Sequence, residues 1–449
     1  MIRVGNLAEG PVFGQSGPGR PSGMRLSDHE QAMLDGRHGP AKQRAMAGLV
    51  QLGRAFDAPR MVEIGYAHIH AGMALYLDDV ELIEDLAALG ATMAVPASVN
   101  IANTDMINWR QIGAPEKLVR LQRRAESAHH KMGSNCAFTC TPYWAGHWPT
   151  WNTHMTSIES TVTIFCNSVL GARSNRDGFF AVYAAIAGRY PMFGYHLDQN
   201  RRGTMLVRTD ARLDGTSDFS ALGFHVGRLA GEGVPVFDGF ARRPSLDELD
   251  ALGAGLATSG GVSMFIVPGV TPPFASLADA FGGERPPEPV LASRAEIDAV
   301  YEYFCPSPAA EFDIVHLGCP HASLEEMKHY ARILSGKRVA ASRELWISTS
   351  RGVRRIAEEA GIVRDLEAAG AKVISDTCPI SCHLARTVSP DPALGVVPPP
   401  IRAVVVDSAK QAKYVRDMIQ CATLLTGTEE AVETALTGRF VPRRAPARV

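Results

Sequence analysis

Apolar residues along this chain recur in two rhythms, one at helical spacing and one in short continuous runs. Their alternation predicts an α/β fold. After Leu26 the helical rhythm carries Ala32, Met33, Ala45, Met46 and Leu49. Residues 61–66 predict a strand that runs into His68 and His70. An amphipathic helix over 80–89 closes at Gly90, and 91–95 predicts the next strand, emptying into a polar loop with Ser98, Asn100, Asn103 and Asp105. A helix over 115–132 has a basic, solvated side. Thr156-Ser157-Ile158-Glu159 has the form of a capping box, followed by Val162, Phe165 and Val169 at helical spacing.

Toward the C-terminus a strand over 313–318 leads into Cys319-Pro320-His321, and Ser323 with Glu326 forms a second capping box. Strands follow over 338–348 and 372–375 around a helix over 353–369, and the second strand leads into Asp376-Thr377-Cys378-Pro379. The expected architecture is a multi-domain α/β fold with parallel or mixed sheets flanked by helices and its site at strand carboxyl ends between domains. The expected divisions are a Gly/Pro-rich arm (1–25), an α/β region (26–275), a linker (276–289), a C-terminal α/β domain (290–425) and a tail (426–449). The tail's arginines lie among prolines and predict disorder.

Composition narrows the function. The 449 residues are 46% hydrophobic and 20% charged, with a net charge of −2, which argues against nucleic acid as a partner. The N-terminus shows no signal-peptide pattern, and no apolar run reaches the roughly 20 residues of a membrane span, so a cytoplasmic enzyme is expected. Eight cysteines are too few for a disulfide scaffold of this length. Their spacing matches neither zinc ribbons nor ferredoxin runs. Three thiolates from separate segments can instead hold an iron–sulfur cluster and leave one iron open, and Cys140, Cys319 and Cys378 are so placed. The open iron is a Lewis acid for a leaving hydroxyl, and a base must take the neighbouring proton. Cys166 lies on an apolar helix face and reads as structural, as do Cys305 and Cys421. Cys136 and Cys382 stand four residues from Cys140 and Cys378 and are alternatives to them.

The motifs Ala67-His68-Ile69, Thr139 through Tyr143, Asn167 through Arg173, Gly318 through His321, Asp376 through Pro379 and Ser408-Ala409-Lys410 occur in this order. In them the chain resembles the large catalytic part of the aconitase X family, over most of residues 26–425. The resemblance implies an aconitase-like fold and a hydro-lyase. It implies that Cys140, Cys319 and Cys378 bind a cluster, 2Fe–2S or 4Fe–4S, or a single iron where the cluster is lost. It implies dehydration of cis-3-hydroxy-L-proline, with mevalonate 5-phosphate as the alternative, and a small swivel-domain subunit as partner. Two departures bear on the substrate: Trp148, Trp151 and His154 precede the Glu159 helix, and the stretch 382–400 is proline-rich.

Other polar residues complete the candidate site. His68, His321, Glu159 and Ser160 are candidates for acid–base work. Asn103, Asn167 and Ser168 are candidates for substrate hydrogen bonds, and Lys410 either positions substrate or closes a helix end. Arg173 and Arg201 suit bidentate binding of the substrate carboxylate. Against these stand ordinary structural roles: a capping carboxylate for Glu159, a hydrogen-bonded core imidazole for His68, surface ion pairs for the arginines. A rival of another class is a non-catalytic iron sensor that binds RNA or protein when its cluster is lost.

Overall fold

The structure, a computed structural model, describes residues 23–305, 311–384 and 400–444. Local signals in the sequence start several helices. Ser27 Oγ accepts the Glu30 N–H while the Glu30 carboxylate accepts the Ser27 N–H, so Asp28–Leu34 opens on a capping box. Pro40 begins the next helix, Pro40–Ala55. Ser323 and Glu326 make the predicted box at the start of Leu324–Leu334.

Two parallel sheets position the site. One has four strands in the order Ala97–Val99, Tyr66–Ile69, His154–Ser157, Arg173–Arg176. The other has five, in the order Ala371–Ser375, Glu344–Thr349, Ile314–Ala322, Ala403–Val406, Ala422–Leu425. In the five-stranded sheet Val315, Leu317, Leu345, Ile347 and Val405 enter one apolar core, while Ile314, Trp346, Ile374, Val404 and Val406 enter another. Both faces are therefore covered, as a sheet of parallel crossovers requires. A three-stranded parallel sheet and a two-stranded antiparallel pair are the other sheets among the described residues. The expected α/β class, parallel sheets flanked by helices, is what the chain adopts.

Strand order reverses once in each large sheet: between Tyr66–Ile69 and His154–Ser157, and between Ile314–Ala322 and Ala403–Val406. At such a reversal the loops leave neighbouring carboxyl ends in opposite directions, and a crevice opens between them. In the five-stranded sheet a bulge enlarges it. Leu317 pairs with Ile347 and Ala322 with Thr349, so the four residues from Gly318 to His321 stand opposite Ser348 alone. The bulge turns Cys319 out of the sheet.

Several elements differ from the sequence reading. Residues 91–95 are not a strand; the strand is Ala97–Val99, just beyond Pro96. Thr156 lies in the strand His154–Ser157 rather than capping a helix, and Glu159 is itself the N-cap of Ser160–Ser168. The helix expected over 353–369 divides into Arg351–Glu359 and Ile362–Ala368 at Gly361, whose φ is 77°. The segment expected to be a disordered tail contains the helix Thr428–Thr437, which buries Ala431, Val432 and Ala435. Most of the arm (1–22), much of the proline-rich stretch (385–399) and Arg448 lie outside the described residues.

Gly318 has φ 85°, and a Cβ there would lie 2.2 Å from the Ser348 carbonyl oxygen. Gly318→Ala is therefore expected to cost about 2–4 kcal/mol of stability, because strain and a backbone clash add. Urea unfolding at neutral pH measures it; a loss below about 0.5 kcal/mol, the range of an ordinary surface change, would show that the bulge does not need glycine.

Candidate functional site

The carboxyl edges of the two large sheets face each other, and loops from each interlock. His321, in the bulge, is the central brace. Its Nε2 donates to the Thr377 carbonyl at 3.1 Å, so Nδ1 is the acceptor for Thr139 Oγ1 at 3.1 Å. Thr141 Oγ1 donates to the His321 carbonyl at 3.1 Å, and the His321 N–H points at Cys140 Sγ at 3.3 Å. Burial pushes the His321 pKa down to about 4, so the ring is neutral near pH 7. The loop that carries Cys378 is held from the other sheet. Ala102 N donates to the Asp376 carbonyl at 2.8 Å, Ser375 N to Asp105 Oδ2 at 3.0 Å, and Asn103 Nδ2 to the Ser381 carbonyl at 2.6 Å.

Lys410 and Glu159 join the two strand-order reversals directly. Lys410 follows Ala403–Val406, and its buried Nζ lies 2.7 Å from Glu159 Oε1 and 2.5 Å from Thr161 Oγ1. Glu159 Oε1 also accepts the Thr161 N–H at 3.3 Å and the Ser160 hydroxyl at 3.3 Å. Burial raises the Glu159 pKa, but Lys410, Arg176 and the Thr161 N–H outweigh it and hold the carboxyl at about 2. Burial lowers the Lys410 pKa, and the Glu159 carboxylate more than restores it.

Cys140, Cys319 and Cys378 all lie within electrostatic reach of Lys410. Burial pushes each thiol up, Lys410 pulls each down, and Cys378 raises both Cys140 and Cys319. Among the described residues no three His, Cys, Asp or Glu side chains surround a single point as one metal ion would need. A four-iron cluster does not need that, because each cysteine meets a different iron. Three soft thiols from three segments, close enough to perturb one another and beside a buried cation, fit an iron–sulfur cluster. Cys166 packs with Tyr66, Tyr143 and Phe165 on the apolar face of its helix. Cys136 contacts the Glu126 carbonyl at 3.9 Å, and Cys382 the Pro379 carbonyl at 3.5 Å.

The other expected residues divide. His68 is fully buried, with Nδ1 2.8 Å from Ser98 Oγ and Nε2 3.3 Å from Asn100 Oδ1. Ser98 is joined in turn to the Tyr66 hydroxyl at 2.5 Å. Both nitrogens of His68, like both of His321, are engaged, which orients the two rings. Asn167 donates to the Ser174 and Ser263 carbonyls and accepts from Ser174 N, and Ser168 Oγ accepts Phe265 N. Both side chains are thereby held within the packing. Arg201 is buried against Asn167, donating to its Oδ1 and carbonyl at 3.2 Å. Arg173 pairs with Asp198 at 2.5 Å.

Arg173 begins the strand Arg173–Arg176, at the amino edge of the sheet, about 10 Å from its carboxyl edge at 3.3 Å per residue. Of the two arginines expected to bind the substrate carboxylate, Arg173 therefore lies away from the carboxyl edge. Arg176, which the sequence reading passed over, stands at the carboxyl edge, donates to the Ile158 carbonyl at 3.4 Å and lowers the Glu159 pKa. It is exposed, and no carboxylate among the described residues pairs with it. Its only sequence signal was its place at the end of a strand whose length the sequence did not define.

Family models described as the first, second and third domains of aconitase X match residues 23–199, 203–302 and 312–437. The chain is 38% identical to the phosphomevalonate dehydratase large subunit of Methanothermobacter thermautotrophicus, over 88% of this chain and 94% of that one. It is 34% identical to the cis-3-hydroxy-L-proline dehydratase of Pseudomonas aeruginosa, over 93% of this chain and 71% of that one. The crystal structure of Thermococcus kodakaraensis aconitase X in its holo-form superposes with a TM-score of 0.78 at 30% identity, covering 92% of this chain and all of that one.

The Lys410–Glu159 pair yields a pH test. Removing one partner strands a buried charge, so Lys410→Met is expected to cost about 3 kcal/mol at pH 7. Wild-type Glu159, with its folded pKa below 4.5, stabilises the fold above that pH and loses the effect only as pH falls toward about 2. Without Lys410, burial drives that pKa upward, so protonation relieves the variant and the difference narrows between pH 7 and pH 4.5. Urea unfolding of both proteins across that range checks it; a gap independent of pH would contradict the pairing.

Proposed function

This chain belongs to the aconitase X family, and from that premise we propose that it is the large subunit of an iron–sulfur hydro-lyase acting on cis-3-hydroxy-L-proline. Hydro-lyase activity is common to its named relatives, which are dehydratases. That favours an enzyme over the non-catalytic iron-sensor reading. Among the described residues no helix is long and apolar enough to cross a membrane. The chain spans 94% and 100% of two phosphomevalonate dehydratase large subunits but 71% and 65% of two cis-3-hydroxy-L-proline dehydratases. The phosphomevalonate dehydratase relatives are named large subunits, and that name supports a small swivel subunit as the partner of this chain.

The observation that carries the substrate reading is the charge at that edge. The cations that bear on Glu159 are Lys410, already paired with it, and Arg176, free of carboxylates among the described residues. One guanidinium suits one carboxylate. A phosphate monoester adds about −1.5 to −2 more charge at pH 7. A zwitterionic amino acid adds none, and Glu159 Oε2, which accepts no hydrogen bond among the described residues, suits its ammonium. Mevalonate 5-phosphate remains the second reading because the phosphomevalonate dehydratase named above is 38% identical.

When bound, a cluster held by Cys140, Cys319 and Cys378 would supply a Lewis-acidic iron that stabilises the departing hydroxide. The chain's own groups do the rest of the positioning. Arg176 takes the carboxylate. Glu159, at a pKa of about 2, is too weak a base for efficient proton removal near neutral pH, so it orients Lys410 and the substrate. Transfer of the Cα proton to a general base, which these groups do not supply and the small subunit would, with departure of the C3 hydroxyl, gives an enamine, which tautomerises to 1-pyrroline-2-carboxylate.

The test is steady-state turnover by the anaerobically purified chain, alone and with its small subunit. Dehydration of cis-3-hydroxy-L-proline is expected only with the subunit present; turnover of mevalonate 5-phosphate alone would transfer the assignment to the second reading. Arg176→Gln is expected to lose about 2 kcal/mol of transition-state binding, roughly 30-fold in kcat/KM. Arg173→Lys should change it less than about threefold. Equal effects from the two variants would remove Arg176 from the site.

A further inference from the structure

One arginine touches the approach to two of the three cysteines. Arg351 opens the helix Arg351–Glu359, directly beyond the carboxyl end of Glu344–Thr349. Its Nε donates to Asp376 Oδ1 at 2.8 Å and its Nη2 to Asp376 Oδ2 at 2.9 Å, a bidentate fork. The remaining Nη1 donates to Glu126 Oε1 at 3.0 Å, on the helix Glu116–Met132 of the opposite sheet's layer. The guanidinium also lies over the Phe138 ring, 4.8 Å from its centroid.

Asp376 stands two residues before Cys378, and Phe138 two residues before Cys140. Both have left-handed backbones, φ 68° at Asp376 and 42° at Phe138, and both are fully buried. Only five non-glycine residues among those described have positive φ, so two of the five lie under this one side chain. A non-glycine residue keeps such a conformation where its surroundings over-determine it. The fork fixes the Asp376 carboxylate, the stacked guanidinium fixes the Phe138 ring, and Glu126 fixes the guanidinium.

We propose that Arg351 is a positioning residue that clamps the Cys140 and Cys378 segments at the spacing the cluster needs. It touches neither thiol; it acts through Phe138 and Asp376. The proposal rests on the cluster assignment made above. A lysine keeps the charge but cannot make the fork or present a flat face to the ring, so it should restore only part of the effect. Arg354, one turn along the same helix, is a built-in control. It pairs with Glu358 at 2.8 Å and Glu367 at 3.3 Å and reaches the Val373 carbonyl, but contacts no cysteine segment.

The experiment compares the anaerobically purified full-length wild type with Arg351→Gln, Arg351→Lys and Arg354→Gln. Iron and acid-labile sulfide per chain are measured first. Iron is then removed by chelation, and alkylation of each cysteine by iodoacetamide is timed by peptide mass spectrometry. Arg351→Gln is expected to lower iron affinity about 10-fold, the usual effect of losing a residue that supports metal ligands. It should also speed alkylation of Cys140 and Cys378 relative to Cys166, with Arg351→Lys intermediate. Arg354→Gln should lower the thermal midpoint while leaving iron content and the alkylation ratios unchanged. Wild-type iron content and alkylation ratios in Arg351→Gln would overturn the clamp, and so would equal changes in Arg354→Gln. An iron-free wild type would instead refute the cluster, and the alkylation ratios would still decide the role of Arg351.

Discussion

A buried ammonium–carboxylate contact ties the two large sheets together at the point where each reverses its strand order. Lys410 Nζ and Glu159 Oε1 are 2.7 Å apart, one following a strand of the five-stranded sheet and the other capping the helix that leaves the four-stranded sheet. Neither charge would be stable there alone, because burial opposes both. Together they fix the distance between two carboxyl edges, and every other feature of the site is arranged across that distance. His321, Asn103 and Asp105 brace loops of one sheet against the other, and the proposed cluster ligands hang from those loops.

The same contact sets the electrostatics. Two buried thiols and the half-buried Cys319 near one another disfavour ionisation, and each is opposed by Lys410. A metal centre that takes up thiolates therefore meets a site where a cation already offsets their charge. Glu159 in turn holds Lys410 charged, so the carboxylate that looked like a base in the sequence instead supports the cation. Arg176, exposed at the carboxyl edge, is the cation we propose for a substrate anion.

Sequence exposed the skeleton of this arrangement and missed its cross-connections. Apolar runs followed by Gly-Cys-Pro and Thr-Cys-Pro placed Cys319 and Cys378 at parallel strand ends, because strand, turn and helix signals are all local there. The helix Thr428–Thr437 was missed although Ala431, Val432 and Ala435 sit at helical spacing, because the following arginines and prolines dominated the composition. Sequence points to Arg173 and is silent on Arg176, because a four-residue strand decides which arginine stands at the carboxyl edge, and its limits are not visible in the local pattern. The pairing of Arg351 with Asp376 and Glu126 joins residues 25 and 225 positions apart, and no local pattern reports it. The two histidines read as catalytic candidates are engaged at both nitrogens, which only the folded neighbours reveal.

The central claim is that Cys140, Cys319 and Cys378, brought together between two facing carboxyl edges, hold an iron–sulfur cluster. Iron and acid-labile sulfide, assayed in anaerobically purified wild type and in the single alanine variants of these three cysteines and of Cys166, test it most directly. The account predicts both elements in the wild type and in Cys166→Ala, and their loss in each of the other three variants. Full iron and sulfide in any of those three, or an iron-free wild type, would contradict it.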